Sequence, residues 1–95
     1  MSAAAFAIIA YDKPNMDDAR AAHRDAHIAH FKAHSDQIAV SGPMSDPIPG
    51  SLIIYHADTA DEAQAFIRAD PFFEAGVWDR IEVTRFKASM GKWVA

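Results

Sequence analysis

The chain has 95 residues, a formal charge of −4, an apolar share of 51% and no cysteine. A chain of that length is a single domain, residues 1–95. The acidic balance and the lack of any Lys/Arg cluster argue against nucleic acid and anionic membrane as partners. Without cysteine there is no disulfide framework, thiol nucleophile or cysteine metal site. Met1–Phe6 lacks the positive charge that opens a signal peptide. No apolar run is long enough to span a bilayer, so a cytoplasmic domain is expected. The apolar share is high for so small a domain, which points to surface shared with another subunit.

Ala5–Tyr11 reads as a first strand, with Phe6, Ile8 and Ala10 on one face and Ala7, Ile9 and Tyr11 on the other. A strand apolar on both faces is covered on both sides. Asp12-Lys13-Pro14-Asn15 is turn chemistry, and Asp17 or Asp18 is placed to cap the next helix. That helix, from about Ala19 to His34, is alanine-rich and free of Gly and Pro, so its propensity is high. Two stripes compete for its inner face: Ala22, Ala26, Ala29 and Ala33, or the bulkier Ala21, Arg24, Ile28 and Phe31. The bulkier stripe buries more area and is expected to face the sheet.

The same helix carries His23, His27, His30 and His34 at spacings of four, three and four. At 3.6 residues per turn the four rings fall within a fan of roughly 60°. Imidazoles at i and i+4 can chelate zinc or nickel, but there is no His-Glu-x-x-His motif. Four ligands stacked along one helix do not close a tetrahedron. No metal is therefore expected. His23 and His34 read as a polar solvent face. One of the four remains a candidate acid/base group, histidine being the side chain that ordinarily titrates nearest neutrality.

Ile38–Ser41 reads as a second strand closed by Gly42-Pro43. Three prolines and two glycines between Gly42 and Gly50 make a stiff loop, either a pocket wall or a plain hairpin connection. Leu52–His56 is a third strand, with His56 at its surface end. Thr59 and Glu62 form a capping box. The box opens a helix to about Ala69, with Ala63, Phe66 and Ile67 as its buried stripe.

Asp70-Pro71 ends that helix, because proline pushes its predecessor out of helical geometry. Pro71 then suits the first position of a new short turn, closed by Gly76, with Asp70 as its N-cap. A capping carboxylate keeps a second oxygen free, so Asp70 can also stand at the mouth of a cavity. Phe72 and Phe73 read as core or interface. Asp79–Phe86 is a fourth strand with Ile81 and Val83 alternating against polar neighbours. In the tail, Trp93 is expected to be packed.

The order strand, helix, strand, strand, helix, strand is the ferredoxin-like α+β pattern βαββαβ. It carries both helices on one sheet face and leaves the other for a second sheet in a symmetric dimer. Arg24-Asp25-Ala26-His27, Ser41-Gly42-Pro43-Met44, Ala69-Asp70-Pro71-Phe72 with Gly76-Val77, and Ile81-Glu82-Val83 leading to Phe86-Lys87 resemble the YciI-like (YCII-related domain) family over nearly the whole chain.

The resemblance implies a dimeric α+β barrel and a histidine–aspartate site at His27 and Asp70. Asp70 would accept a hydrogen bond from one ring nitrogen of His27 and leave the other facing the cavity. The family includes a dehydrochlorinase acting on a chlorinated hydroxyquinol. Arg24, one turn before His27, becomes a candidate for holding an anionic ligand oxygen. Gly42, Pro43, Pro71 and Phe72 are expected to line the pocket. The expected function is a small, cofactor-independent lyase or isomerase acting on a cyclic or aromatic oxygenated molecule. The alternative is a non-catalytic dimeric small-molecule binder or accessory domain.

Overall fold

Alternating apolar residues and two helix-opening signals build the chain in the expected order. The computed structural model describes residues 4–92. It runs β1 (Ala5–Asp12), α1 (Asp17–Ala33), β2 (Ile38–Met44), β3 (Gly50–His56), α2 (Ala60–Arg68), α3 (Pro71–Glu74) and β4 (Trp78–Phe86). The strands form one sheet in the order β2-β3-β1-β4, every pair antiparallel. This is the ferredoxin-like α+β fold, with α3 added as a single turn. Trp93 lies outside the described residues. Among the described residues, no helix is long and apolar enough to cross a membrane.

Register divides the sheet into two faces. Ile8 stands opposite Ile53 on one side and Val83 on the other; Phe6 stands opposite Tyr55, and Ala10 opposite Ile81. This helix-side face meets Ala63, Phe66 and Ile67 of α2 and Phe72 of α3 to form the core. The capping box that opens α2 is present, with both Thr59–Glu62 hydrogen bonds made. The opposite face carries Ile9, Val40, Leu52, Ile54 and Phe86. There Val40 is 41% exposed, Leu52 39% and Phe86 44%, so the chain alone leaves an apolar sheet face bare.

Three local expectations need correction. The N-cap of α1 is Met16, with no side-chain cap. Asp17 and Asp18 sit inside the first turn, where their charge favours the positive end of the helix dipole. Gly42 and Pro43 do not close β2; they continue it, paired with Leu52 and Ser51. An edge strand tolerates a proline because its N–H side needs no ladder partner. The connection to β3 shrinks to Ser45–Pro49, which is exposed. β4 also starts one residue early. Tyr11 pairs with Arg80 but Asp12 with Trp78, so Asp79 is an extra residue. That bulge turns Trp78 inward and leaves Asp79 outside, which alternation alone does not reveal.

Gly50, at the start of β3, is buried where a Cβ would overlap the Ala10 carbonyl oxygen. Backbone cannot yield there without opening the β1–β3 ladder. Gly50→Ala is expected to lower unfolding free energy by about 3 kcal/mol, the upper range for overpacking. Urea denaturation checks this; a midpoint equal to the parent's would mean the strands separate freely at this point.

Candidate functional site

Pro71 fixes the geometry of the site. Asp70, just before it, is extended (φ −70°, ψ 135°) and caps α3. One carboxylate oxygen, Oδ1, accepts the Phe72 backbone N–H at 2.8 Å. The other, Oδ2, accepts Nδ1–H of His27 at 2.7 Å. The Asp70 side chain is fully buried and that of His27 is 16% exposed. A buried carboxylate acceptor sets the tautomer, so Nε2 is the nitrogen left for the pocket. The imidazole is stacked on Phe72, centroids 4.0 Å apart and planes 8° apart, and tilted against Phe31 at 4.4 Å. Ring packing and the hydrogen bond together hold it in one orientation.

A pocket of about 460 Å³ opens in front of His27, between α1 and the β2 edge. Arg24, His27, Gly42, Pro43 and Phe72 line it as expected, together with Arg20, Ala21, Ile28, Phe31, Ser41 and Ser51. All four residues of the bulkier α1 stripe are in that lining, while the alanine stripe is exposed. That stripe therefore faces the sheet across a pocket, with Phe31 also packed against the core, and α1 contains no fully buried residue. The wall across from α1 is strand, not the loop to Gly50. Pro71 does not line the pocket: it begins α3 behind it. Asp70 reaches it only through His27. A shallower groove of about 260 Å³ continues past His27, Ile28, Phe31 and Ser41 to Lys32 and Ser35.

Arg20 is the residue that the sequence reading missed. Its Nε and Nη2 donate to the two Asp12 oxygens at 2.6 and 2.8 Å. Nη2 also reaches the Gly50 carbonyl at 3.2 Å and Ser51 Oγ at 3.4 Å. The guanidinium lies 5.0 Å from the Phe72 ring centroid. A bidentate carboxylate holds the cation rigidly at one end of the pocket. Its spacing was a usable signal, since Arg20 stands two turns before His27 on one helix face. Asp12 looks like turn chemistry in the sequence, which hides its partner.

The histidine row divides. His23 is exposed, as expected. His34 is not on a solvent face: it is half-buried, donates Nδ1–H to the His30 carbonyl at 3.0 Å and sits edge-on to Phe66. His30 also turns inward, onto Phe66. Among the described residues, no group of three His, Cys, Asp or Glu side chains is arranged to hold a metal ion.

Residues 4–87 match the YCII-related domain family. The chain is 32% identical over 93 residues to Protein YciI of Escherichia coli O6:H1, covering 86% of this chain and 95% of that protein. Protein YciI of Shigella flexneri gives the same figures. Among solved structures, 5-chloro-2-hydroxyhydroquinone dehydrochlorinase from Burkholderia phenoliruptrix AC1100, in complex with 2,5-dihydroxybenzoquinone, superposes with a TM-score of 0.82 at 30% identity. The match covers 90% of this chain and 95% of that one.

Asp12 is the more buried partner of its ion pair, its side chain 6% exposed against 24% for Arg20. Removing the arginine strands a carboxylate that water scarcely reaches. Arg20→Met is expected to cost about 2–3 kcal/mol, the range for losing a charged hydrogen-bond partner. Chemical denaturation measures it; a loss below about 0.5 kcal/mol would place the pair with ordinary surface ion pairs.

Proposed function

This chain belongs to the YCII-related domain family, and on that premise we propose that it is a small-molecule lyase or isomerase. In this reading His27 is the general acid/base and Asp70 its orienting partner. The observation that carries the reading is the 2.7 Å hydrogen bond from a pocket-lining histidine to a fully buried carboxylate. With Nδ1–H donated to Asp70, Nε2 takes the proton, and Asp70 stabilises the imidazolium that forms. Arg20 and Arg24 place positive charge where a ligand oxygen gains negative charge. Phe31, Phe72 and Ile28 offer apolar surface to a ring.

The substrate class proposed is a small hydroxylated ring, in line with the similarity to the chlorohydroquinone dehydrochlorinase. Loss of HCl from a chlorinated ring of this kind balances in two stages. Nε2 removes one hydroxyl proton, and the imidazolium returns it to the carbon bearing chlorine, giving a ketone tautomer. Nε2 then removes a second hydroxyl proton as chloride leaves with the C–Cl bonding pair. The products are a hydroxyquinone, chloride and one proton. An isomerisation uses the first half alone.

The test is chloride release from 5-chloro-2-hydroxyhydroquinone, with binding of 2,5-dihydroxybenzoquinone measured beside it. Positioned acid–base catalysis contributes about 10²–10⁴ in rate. His27→Ala and Asp70→Asn are each expected to lower turnover by about that factor, and the double variant to be little worse than either single one. Saturable binding that depends on His27, with no turnover across hydroxylated and halogenated rings, would make the chain a binding module instead.

The same reading includes a homodimer. The bare sheet face carries Ile9, Val40, Leu52, Ile54 and Phe86, a patch that a second identical sheet covers by face-to-face packing. Light scattering at micromolar concentration is expected to give twice the chain mass. Leu52→Glu, which puts a charge at the middle of that face, is expected to shift it to the monomer. A parent protein that is already monomeric overturns this part.

A further inference from the structure

We propose that His30 is a positioning residue for the His27–Asp70 pair, acting as a second rung between α1 and the end of α2. The inference rests on the acid/base reading of that pair. It starts from the same proline. Because Pro71 forces Asp70 out of the helix, the Asp70 N–H bonds the Ile67 carbonyl at 3.2 Å instead of continuing the i→i−4 ladder to Phe66. The Phe66 carbonyl becomes one of the orphan acceptors at a helix C-terminus. His30 Nε2–H donates to it at 2.8 Å, and the His30 ring stacks on the Phe66 ring with centroids 4.8 Å apart.

Two side-chain bonds therefore join α1 to the corner between α2 and α3. One runs from His27 to Asp70 and the other from His30 to Phe66. The step along α1 is three residues, about 4.5 Å of helix rise. The step back along the other strand of the ladder, from Asp70 to Phe66, is four.

The Arg20–Asp12 bond ties the first half of α1 to β1. Toward the other end of α1, the His27–Asp70 contact alone would be a pivot, and a second contact one turn on removes that freedom. The restraint matters because α1 has no fully buried residue to key it to the core: Met16 at its cap, Ala19 and Phe31 pack there only partly buried. His34 completes the arrangement by donating Nδ1–H to the His30 carbonyl at 3.0 Å, with its ring edge-on to Phe66. His30 does not line the pocket. Its effect on the site passes through the orientation of α1, and so through the direction in which His27 Nε2 points.

The test needs no substrate. A ring N–H bonded to a buried carboxylate exchanges slowly and gives a far-downfield proton resonance, assigned to His27 by its disappearance in His27→Gln. His30→Gln keeps a donor near the Nε2 position, and His30→Phe keeps the ring but removes the donor. The resonance is expected to persist in His30→Gln and to be lost to exchange in His30→Phe, while far-UV circular dichroism stays the same. Should the phenylalanine unfold the chain, His30→Met, flexible and without a donor, gives the same reading. A lower melting temperature with the His27 resonance unchanged would make His30 a stabilising residue only and overturn the proposal. Absence of the resonance in the parent protein would overturn the His27–Asp70 reading itself, and this one with it.

Discussion

The backbone cannot continue as helix through Pro71, and much of the site follows from that exclusion. Proline denies helical geometry to Asp70, so the chain turns and Asp70 becomes the cap of the next turn. A capping carboxylate uses one oxygen on its own backbone. Its second oxygen is directed away from the turn, and in this packing it meets His27. Aspartate serves here because it is short, rigidly held and has two acceptors. Asparagine would cap the turn equally well, but it would bring a neutral amide to the histidine.

A parallel arrangement stands at the other end of the pocket. Arg20 faces the pocket with Asp12 behind it, as His27 does with Asp70 behind it. In each case a nearly buried carboxylate orients a more exposed basic group. The two carboxylates are anchored independently, one at a helix cap and one at the end of β1. Displacing one therefore need not displace the other. The pairing also limits the cost of burying charge: each acid is compensated by direct hydrogen bonds, and the pocket wall presents no carboxylate of its own. The pocket lining thus holds two guanidinium groups, those of Arg20 and Arg24, of which Arg20 is paired with Asp12.

The fold was legible because its signals are local. Capping box, Asp-Pro break and alternating strands each follow from a few neighbouring residues, and their order leaves few topologies. His27 and Asp70 were legible as well, the latter from its proline and both from the family's motifs. What escaped depends on contacts distant in sequence. Asp12 resembles a turn residue until Arg20 is seen beside it. Asp79 resembles an alternating strand residue until the bulge that admits Trp78 is seen. Gly42-Pro43 resembles the end of a strand, because nothing nearby says that this strand is an edge. His34 resembles a polar surface residue and His30 has no evident role, because the orphan Phe66 carbonyl that His30 bonds exists only once α2 has ended.

The alanine-rich helix α1 brings these points together. In a domain of this size each helix ordinarily buries an apolar stripe, and α2 does so with Ala63, Phe66 and Ile67. On α1 and its C-cap the partly buried residues are instead Ala19, Arg20, His27, Ile28, His30, Phe31 and His34, and none of them is fully buried. The polar ones are held through directed bonds: carboxylates for Arg20 and His27, backbone carbonyls for His30 and His34. Apolar contact is nondirectional and tolerates small shifts; hydrogen bonds with fixed partners do not. A helix held in this way contributes less burial energy and more orientation. That exchange suits an element whose inner side must remain open as a pocket while one imidazole nitrogen is kept in a fixed direction.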